Sequence, residues 1–219
     1  MIDFHTHSLF SDGELIPAEL VQRAVVRGYQ TMAITDHGDQ SNIDFIIPRV
    51  VYASRILSEA HGIRVIPGIE LTHCHPRHLA ELAREARRLG ARIVIVHGET
   101  LVEPVMPGTN AAALTADIDI LAHPGLLTED EARLAKKKKV FLEITTRKGH
   151  SLTNGHVAKM ARKHGVPLVV NTDSHSPADL VDRATARSIV RGAGLDDKEA
   201  DAVFENARKL AERIWAGMK

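Results

Sequence analysis

Six short motifs bearing imidazoles and carboxylates punctuate the chain, each after an apolar, strand-like run. They are Asp3-Phe4-His5-Thr6-His7, Thr35-Asp36-His37, Gly68-Ile69-Glu70, Val96-His97-Gly98, Ala122-His123-Pro124 and Asn171-Thr172-Asp173-Ser174-His175. His5 and His7 stand two apart on an extended segment, where alternate side chains share a face, so both can bind one ion. Asp173 and His175 repeat that spacing in the last motif, and Glu70, His97 and His123 end three successive runs. One histidine at a strand end is ordinarily a hydrogen-bonded core or surface residue. Six such ends converging on one point make a metal site. Cys74 is the only cysteine, which rules out an internal disulfide and a thiolate cage. Nitrogen and oxygen donors suit zinc, iron or manganese, and the lack of an all-oxygen set argues against calcium.

Strand ends meet at one point only when the strands lie side by side and parallel. Apolar, β-branched runs alternating with helical patterns are the signal for such βα units. Candidate strands cover about 2–6, 31–36, 64–70, 92–98, 118–123, 139–145 and 167–172. Seven units predict a closed or nearly closed barrel with its reactive groups at the carboxyl ends of the strands. Thr128 with Glu131 reads as a capping box, and Ser176-Pro177 reads as a helix start. Gly28, Gly62, Gly90 and Gly165 fall where four helices should stop. Residues 195–219 read as two closing helices, the first capped by Asp196 with Glu199, free either to cover the barrel bottom or to form a homo-oligomer surface. The 219 residues, 44% of them hydrophobic, are expected to form a single domain, 1–219.

Charge and composition narrow the partners. Lys+Arg 28 balances Asp+Glu 28, so nothing attracts the whole molecule to nucleic acid or an anionic membrane. Only 4% aromatic residues and no basic stripe weigh against a long nucleic-acid ligand. No apolar stretch approaches the ~20 residues that cross a bilayer. The amino terminus shows no targeting pattern, and the expectation is a soluble, cytoplasmic protein. The cluster His73-Cys74-His75-Pro76-Arg77-His78 lies past a strand end and reads as pocket wall or solvated loop rather than as a ligand set. His61, His156 and His164 sit in helical segments and are not expected to be ligands; Lys136 to Lys139 read as a solvated helix end.

His5-Thr6-His7 with Ser11-Asp12-Gly13, then Thr35-Asp36-His37, Gly68-Ile69-Glu70, His97, His123-Pro124 and Asp173-Ser174-His175 resemble the successive motifs of the PHP (polymerase and histidinol phosphatase) family, across residues 1 to about 180. The segments 98–105 and 147–156 resemble its archaeal histidinol-phosphatase-like branch. The resemblance implies an α/β fold, a distorted (β/α)7 TIM-like barrel, with two or three divalent metal ions (Zn, Mn or Fe) and phosphoesterase chemistry. Carried over residue by residue, it places His5, His7, Glu70 and Asp173 on a first ion and Asp12, His37 and His175 on a second. Glu70, His97 and His123 fall on a third, with Glu70 bridging. Some family members carry histidine where Asp12 stands, which bears on metal preference. No motif is missing, unlike barrel relatives that have lost their ligands and act as structural ribonuclease P subunits.

Closely spaced divalent ions lower the pKa of a bound water and neutralise phosphoryl oxygens, so attack of metal-bound hydroxide on phosphorus is the expected reaction. Arg147 follows the run 141–145 and should reach the same mouth, where its guanidinium fork suits phosphate. Arg147, His175 and Asp12 are the candidate catalytic residues, with Lys148 and His150 as lesser candidates for the phosphate. The loop 99–110, with Pro104 and Pro107, should stand stiffly beside the third ion. The expected substrate is a small phosphorylated metabolite, with L-histidinol phosphate first. The rival readings are a nucleotide or oligonucleotide phosphodiesterase or exonuclease, and a non-enzymatic barrel within a larger assembly.

Overall fold

A computed structural model describes residues 1–218. The β-branched runs form β1 (Ile2–Asp3), β2 (Thr31–Ile34), β3 (His37–Gly38), β4 (Arg64–Leu71), β5 (Ile93–His97), β6 (Ile120–Ala122), β7 (Phe141–Thr145) and β8 (Leu168–Asn171). Helices α1 (Pro17–Val26), α2 (Ile43–His61), α3 (Leu79–Leu89), α4 (Thr109–Ala113), α5 (Glu129–Lys138), α6 (Asn154–His164), α7 (Arg183–Gly192) and α8 (Asp197–Ala216) lie between and after them. Parallel pairing runs β1-β2-β4-β5-β6-β7-β8, with β3 attached to β4 off this path. The result is a nearly closed seven-stranded α/β barrel, the fold the sequence pattern predicts.

The expected strand 31–36 stops at Ile34. Asp36 leaves the ladder to accept hydrogen bonds from the amides and hydroxyls of Ser8 and Ser11. The chain then re-pairs, with His37 opposite Glu70 and Gly38 opposite Leu71. At the seam between β1 and β8, side chains stand in for a ladder. Phe4 N donates to Asn171 Oδ1 at 2.9 Å, and the Thr172 amide donates to Asp3 Oδ1 at 3.2 Å. Beyond them, Thr6 bridges Ser174.

The core has two layers. Residues facing outward from the strands, such as Val65, Val94, Val96, Leu121 and Val170, pack against the helices. Inward-facing Phe4, Ala33, Ile66, Ile93, Ile95, Ile120 and Val169 fill the barrel. Ala207, Leu210, Ala211 and Ile214 of α8 join that inner cluster together with Ile2 and Phe141, the first residues of β1 and β7, so α8 plugs the amino-terminal end. The stretch 195–219, read as two closing helices, holds a single helix among its described residues, α8, and of the two roles left open it takes the cover. Because alternate residues share a face, the inner face of β4 reads Ile66, Gly68, Glu70 and that of β7 reads Phe141, Glu143, Thr145. Each strand therefore passes from apolar to polar as it rises. Gly68 makes the transition possible, since a Cβ there would lie 2.5 Å from the side chain of Ile93.

Both predicted capping boxes form, at Thr128 with Glu131 and at Asp196 with Glu199. Gly62, Gly90 and Gly165 cap α2, α3 and α6 in the left-handed conformation. Ser176-Pro177 starts no helix. The Asp179 carboxylate accepts from the amides of His175 and Ser176 and from the Ser176 hydroxyl, which closes a turn instead. The next helix, α7, begins behind Asp182. Among the described residues no helix is long and apolar enough to cross a membrane.

Candidate metal centre

The polar upper layer of the barrel gathers most of the predicted donors. His5 Nε2 lies 3.3 Å from Glu70 Oε1 and 3.6 Å from Asp173 Oδ1. His7 Nε2 lies 3.3 Å from Asp173 Oδ1 and 3.7 Å from Glu70 Oε2. His123 Nε2 stands 3.6 Å from both Glu70 Oε1 and Asp173 Oδ2. These five side chains are buried. Nearer the mouth, Asp12 Oδ1 lies 3.4 Å from His37 Nε2 and 3.2 Å from His175 Nε2, and one donor atom each from these three and His7 falls within 4.8 Å of the others. Glu70 Oε2 also meets His37 Nδ1 at 2.7 Å, so its carboxylate touches both groups.

Backbone geometry serves this convergence. His123 and Asp173 have φ of 26° and 52°, a region that non-glycine residues occupy at a cost and that recurs at functional sites. The tautomers are equally directed. His5 Nδ1 lies 2.9 Å from Glu143 Oε1 and His175 Nδ1 lies 3.0 Å from the Asp173 carbonyl. Both partners are acceptors, so these Nδ1 atoms carry the hydrogen and each ring turns Nε2 toward carboxylates. Such a pairing needs positive charge between the two atoms, a proton on the ring or a metal ion. His5 Nε2, His7 Nε2 and Glu70 Oε1 are in fact buried without a hydrogen-bond partner. Buried polar atoms are ordinarily satisfied, and a divalent ion satisfies all three. The donor set therefore fits a metal.

Charge effects sort the imidazoles: burial lowers His5 and His37, but the neighbouring carboxylates outweigh it and raise both above their ordinary values. Burial together with neighbouring His37 pushes the His7 imidazole well below its ordinary value, keeping it neutral and able to donate its lone pair. Burial would raise the Glu70 carboxyl, but His5 and His37 outweigh it and hold the group ionised. Protons and metal compete for the same atoms.

One donor atom each from His97, His123 and His150 lies within 4.8 Å of the others, and His97 also meets a carboxylate that the resemblance does not assign. His97 and His123 have ring centroids 4.4 Å apart, but His97 Nε2 faces Glu103 Oε2 at 3.1 Å. Glu103 also lies 3.2 Å from His73 Nε2 and 3.2 Å from His150 Nε2. The reading of 73–78 as pocket wall or solvated loop holds: His75 is exposed and its ring accepts from the Arg77 amide, while His73 lines the mouth. Arg147 reaches the same mouth, its Nη1 donating to the Asp173 carbonyl at 3.1 Å. Lys148 is exposed, whereas His150 is buried beside His123, with ring centroids 4.3 Å apart. His156 lies 2.8 Å from the Leu127 carbonyl, away from the centre. The cavity at the mouth measures about 340 Å³ and is lined by Asp12, His37, His97, Glu103, Arg147 and His175, among others.

Glu143 escaped the sequence reading. It orients His5 and also accepts from Asn171 Nδ2 at 2.8 Å and the His123 amide at 3.1 Å. Its signal was a lone acid in an otherwise apolar run, in phase with the inward positions. Glu143→Gln keeps the volume but can present an amide hydrogen where His5 needs an acceptor. Metal affinity, measured by competition with a chelator, should fall about 10- to 100-fold; unchanged affinity would remove Glu143 from the centre.

Comparison with known proteins accords with this geometry. The chain is 47% identical over 215 residues to an uncharacterized protein of Methanocaldococcus jannaschii, covering 97% of this chain and 99% of that one. It is 28% identical over 198 residues to a probable phosphatase of Acetivibrio thermocellus, covering 80% and 79%. Its fold is similar to that of a chain in archaeal ribonuclease P with mature tRNA, at TM-score 0.75 and 19% identity, over 98% of this chain and 91% of that chain. The model of the PHP domain matches residues 3–121, more than half the sequence, and the chain belongs to the PHP domain family.

Proposed function

We propose that this chain is a metal-dependent phosphoesterase acting on a small phosphomonoester, with L-histidinol phosphate the first substrate to test. One observation carries the reading: imidazole nitrogens of His5 and His7 and one carboxylate oxygen of Glu70, buried and without hydrogen-bond partners, converge below a small open cavity. His5, His7, Glu70 and Asp173 would hold one ion, and Asp12, His37 and His175 a second. His97 and His123 remain for a third. Divalent ions bound there would acidify water and neutralise charge on a phosphoryl group.

The remaining work falls to the chain itself. Arg147, partly exposed at the mouth, offers a guanidinium fork that orients phosphate. Asp12 and His175 stand at the open side, where Asp12 is the most exposed carboxylate of the set at 57%. They face the leaving alkoxide as it departs. A cavity of about 340 Å³ suits a small ester and lies at the low end for ligand sites. The rival reading, a nucleotide or oligonucleotide phosphodiesterase, uses the same centre. A non-enzymatic role inside a ribonucleoprotein draws support from the shared fold, but the buried, unpartnered donors have no purpose in it.

Phosphate release tests the proposal. The purified protein, reconstituted separately with manganese, zinc and iron, is assayed against L-histidinol phosphate, sugar phosphates, nucleoside mono- and bisphosphates and a short single-stranded oligonucleotide. Preference for histidinol phosphate supports the substrate proposed. Preference for nucleotides moves the protein to the rival reading, and no hydrolysis by the metal-loaded protein sinks the enzymatic one.

A further inference from the structure

His97 turns one ring nitrogen to the mouth. Its Nδ1 lies 3.1 Å from the carbonyl oxygen of Gly98, an acceptor, so Nδ1 carries the hydrogen and Nε2 is left to take a proton or a metal ion. That nitrogen faces Glu103 Oε2 at 3.1 Å, and His73 Nε2 stands 3.2 Å from the same oxygen. Two ring nitrogens around one carboxylate oxygen at this range need positive charge among them, protons on the rings or a metal ion. One donor atom each from His73, His97 and Glu103 falls within 4.8 Å of the others. Donors held 2.0–2.1 Å from a tetrahedral zinc ion are separated by roughly 3.3 Å. The two measured edges of this triangle are already at coordination spacing.

We propose that His73, His97 and Glu103 hold a divalent cation at the mouth of the barrel, with His150 fixing the second carboxylate oxygen of Glu103. His73 and the loop after β5 then add ligands to the outermost ion, beside the Glu70, His97 and His123 that the resemblance implies. This rests on the metal-dependent reading above but concerns ligands that reading does not assign.

The loop is built to present Glu103. The Glu99 carboxylate accepts from the Gly108 amide at 3.0 Å and the Asn110 amide at 2.9 Å, which ties the two ends together. Pro104 and Pro107 stiffen the segment between them. His150 Nε2, 3.2 Å from Glu103 Oε1, holds the carboxylate from a buried position, as outer partners of metal ligands do. His73 stacks over His97, with ring centroids 5.2 Å apart, and its φ of 51° marks a strained backbone at a functional position. The side chains of His73 and Glu103 are 44% and 37% exposed, so this ion exchanges with solvent more readily than those beneath it.

The test is titration of metal-free protein with Co²⁺, followed by visible absorption and calorimetry, for wild type, Glu103→Gln, His73→Ala and His75→Ala. Both tested side chains are partly exposed, and circular dichroism checks that each variant is folded. Glu103→Gln and His73→Ala should weaken the last binding step roughly 10- to 100-fold and leave the earlier steps in place. His75→Ala should match wild type. Identical isotherms for wild type, Glu103→Gln and His73→Ala would overturn the proposal alone, leaving a hydrogen-bond network that merely pins the loop. Failure of wild type to bind Co²⁺ at any step would overturn the metal-dependent reading with it.

Discussion

Glu70→Gln is expected to lower kcat/KM about 10³-fold and to reduce bound metal while the barrel still folds. The residue stands at the hub of the centre. Oε1 lies 3.3 Å from His5 Nε2 and 3.6 Å from His123 Nε2, while Oε2 lies 2.7 Å from His37 Nδ1 and 3.7 Å from His7 Nε2. Glutamine keeps the shape but removes the one charge that four imidazoles share. It also points an amide NH₂ at nitrogens whose lone pairs are then lost to any ion. If transition-state stabilisation falls by about 4 kcal/mol, the rate falls about 10³-fold. Folding should survive because β4 is held by its backbone, from Gly68 opposite Ile93 to Leu71 opposite Val96. Glu70→Ala is the poorer test, since it would also open a cavity among buried rings. Kinetics on the manganese-loaded protein, metal content by mass spectrometry and circular dichroism decide the matter together. Full activity with full metal content would refute the role given to Glu70.

Why Glu70 was legible in the sequence and Glu103 was not follows from how each is placed. Glu70 ends a run whose alternation dictates its direction: once β4 is a barrel strand with Ile66 inside, Glu70 must be inside too. The same rule places His5, His7, His97, His123 and Asp173 at one end, and it would have placed Glu143 had the phase of β7 been followed through. Glu103 and His73 instead reach the mouth through loops. Their positions depend on contacts distant in sequence, such as Glu99 with Asn110, which no local pattern encodes. Ser176-Pro177 failed for a related reason: a cap followed by proline is a sound helix start, but Asp179 three residues on offers the same amides a competing acceptor. The seam is the third case. Asp3 and Asn171 close the barrel with side chains, so the short β1 carries fewer ladder pairs than its apolar run suggests.

Arg147→Ala is expected to lower kcat/KM about 10²-fold, chiefly by raising KM, with metal content unchanged. The size follows from removing one preorganised donor aimed at a developing or bound anion. Its present contacts are weak ones for a guanidinium. Nη1 donates to the Asp173 carbonyl at 3.1 Å, Nε lies 3.6 Å from Asp173 Oδ2, and Nη1 lies 3.7 Å from Asp179 Oδ2. Much of the fork is therefore still available to a phosphoryl group entering the cavity. Asp173 keeps its place without Arg147, because its carboxylate faces His5, His7 and His123 and the next amide, Ser174 N, donates to the His5 carbonyl at 3.4 Å. Arg147→Lys retains the charge but loses the fork, and it should recover only part of the loss. Inhibition by inorganic phosphate separates the roles: its inhibition constant should rise in step with KM if Arg147 binds the phosphoryl group. A fall in metal content alongside activity would make Arg147 a brace for Asp173 instead, and an unaltered kcat/KM would remove it from the mechanism.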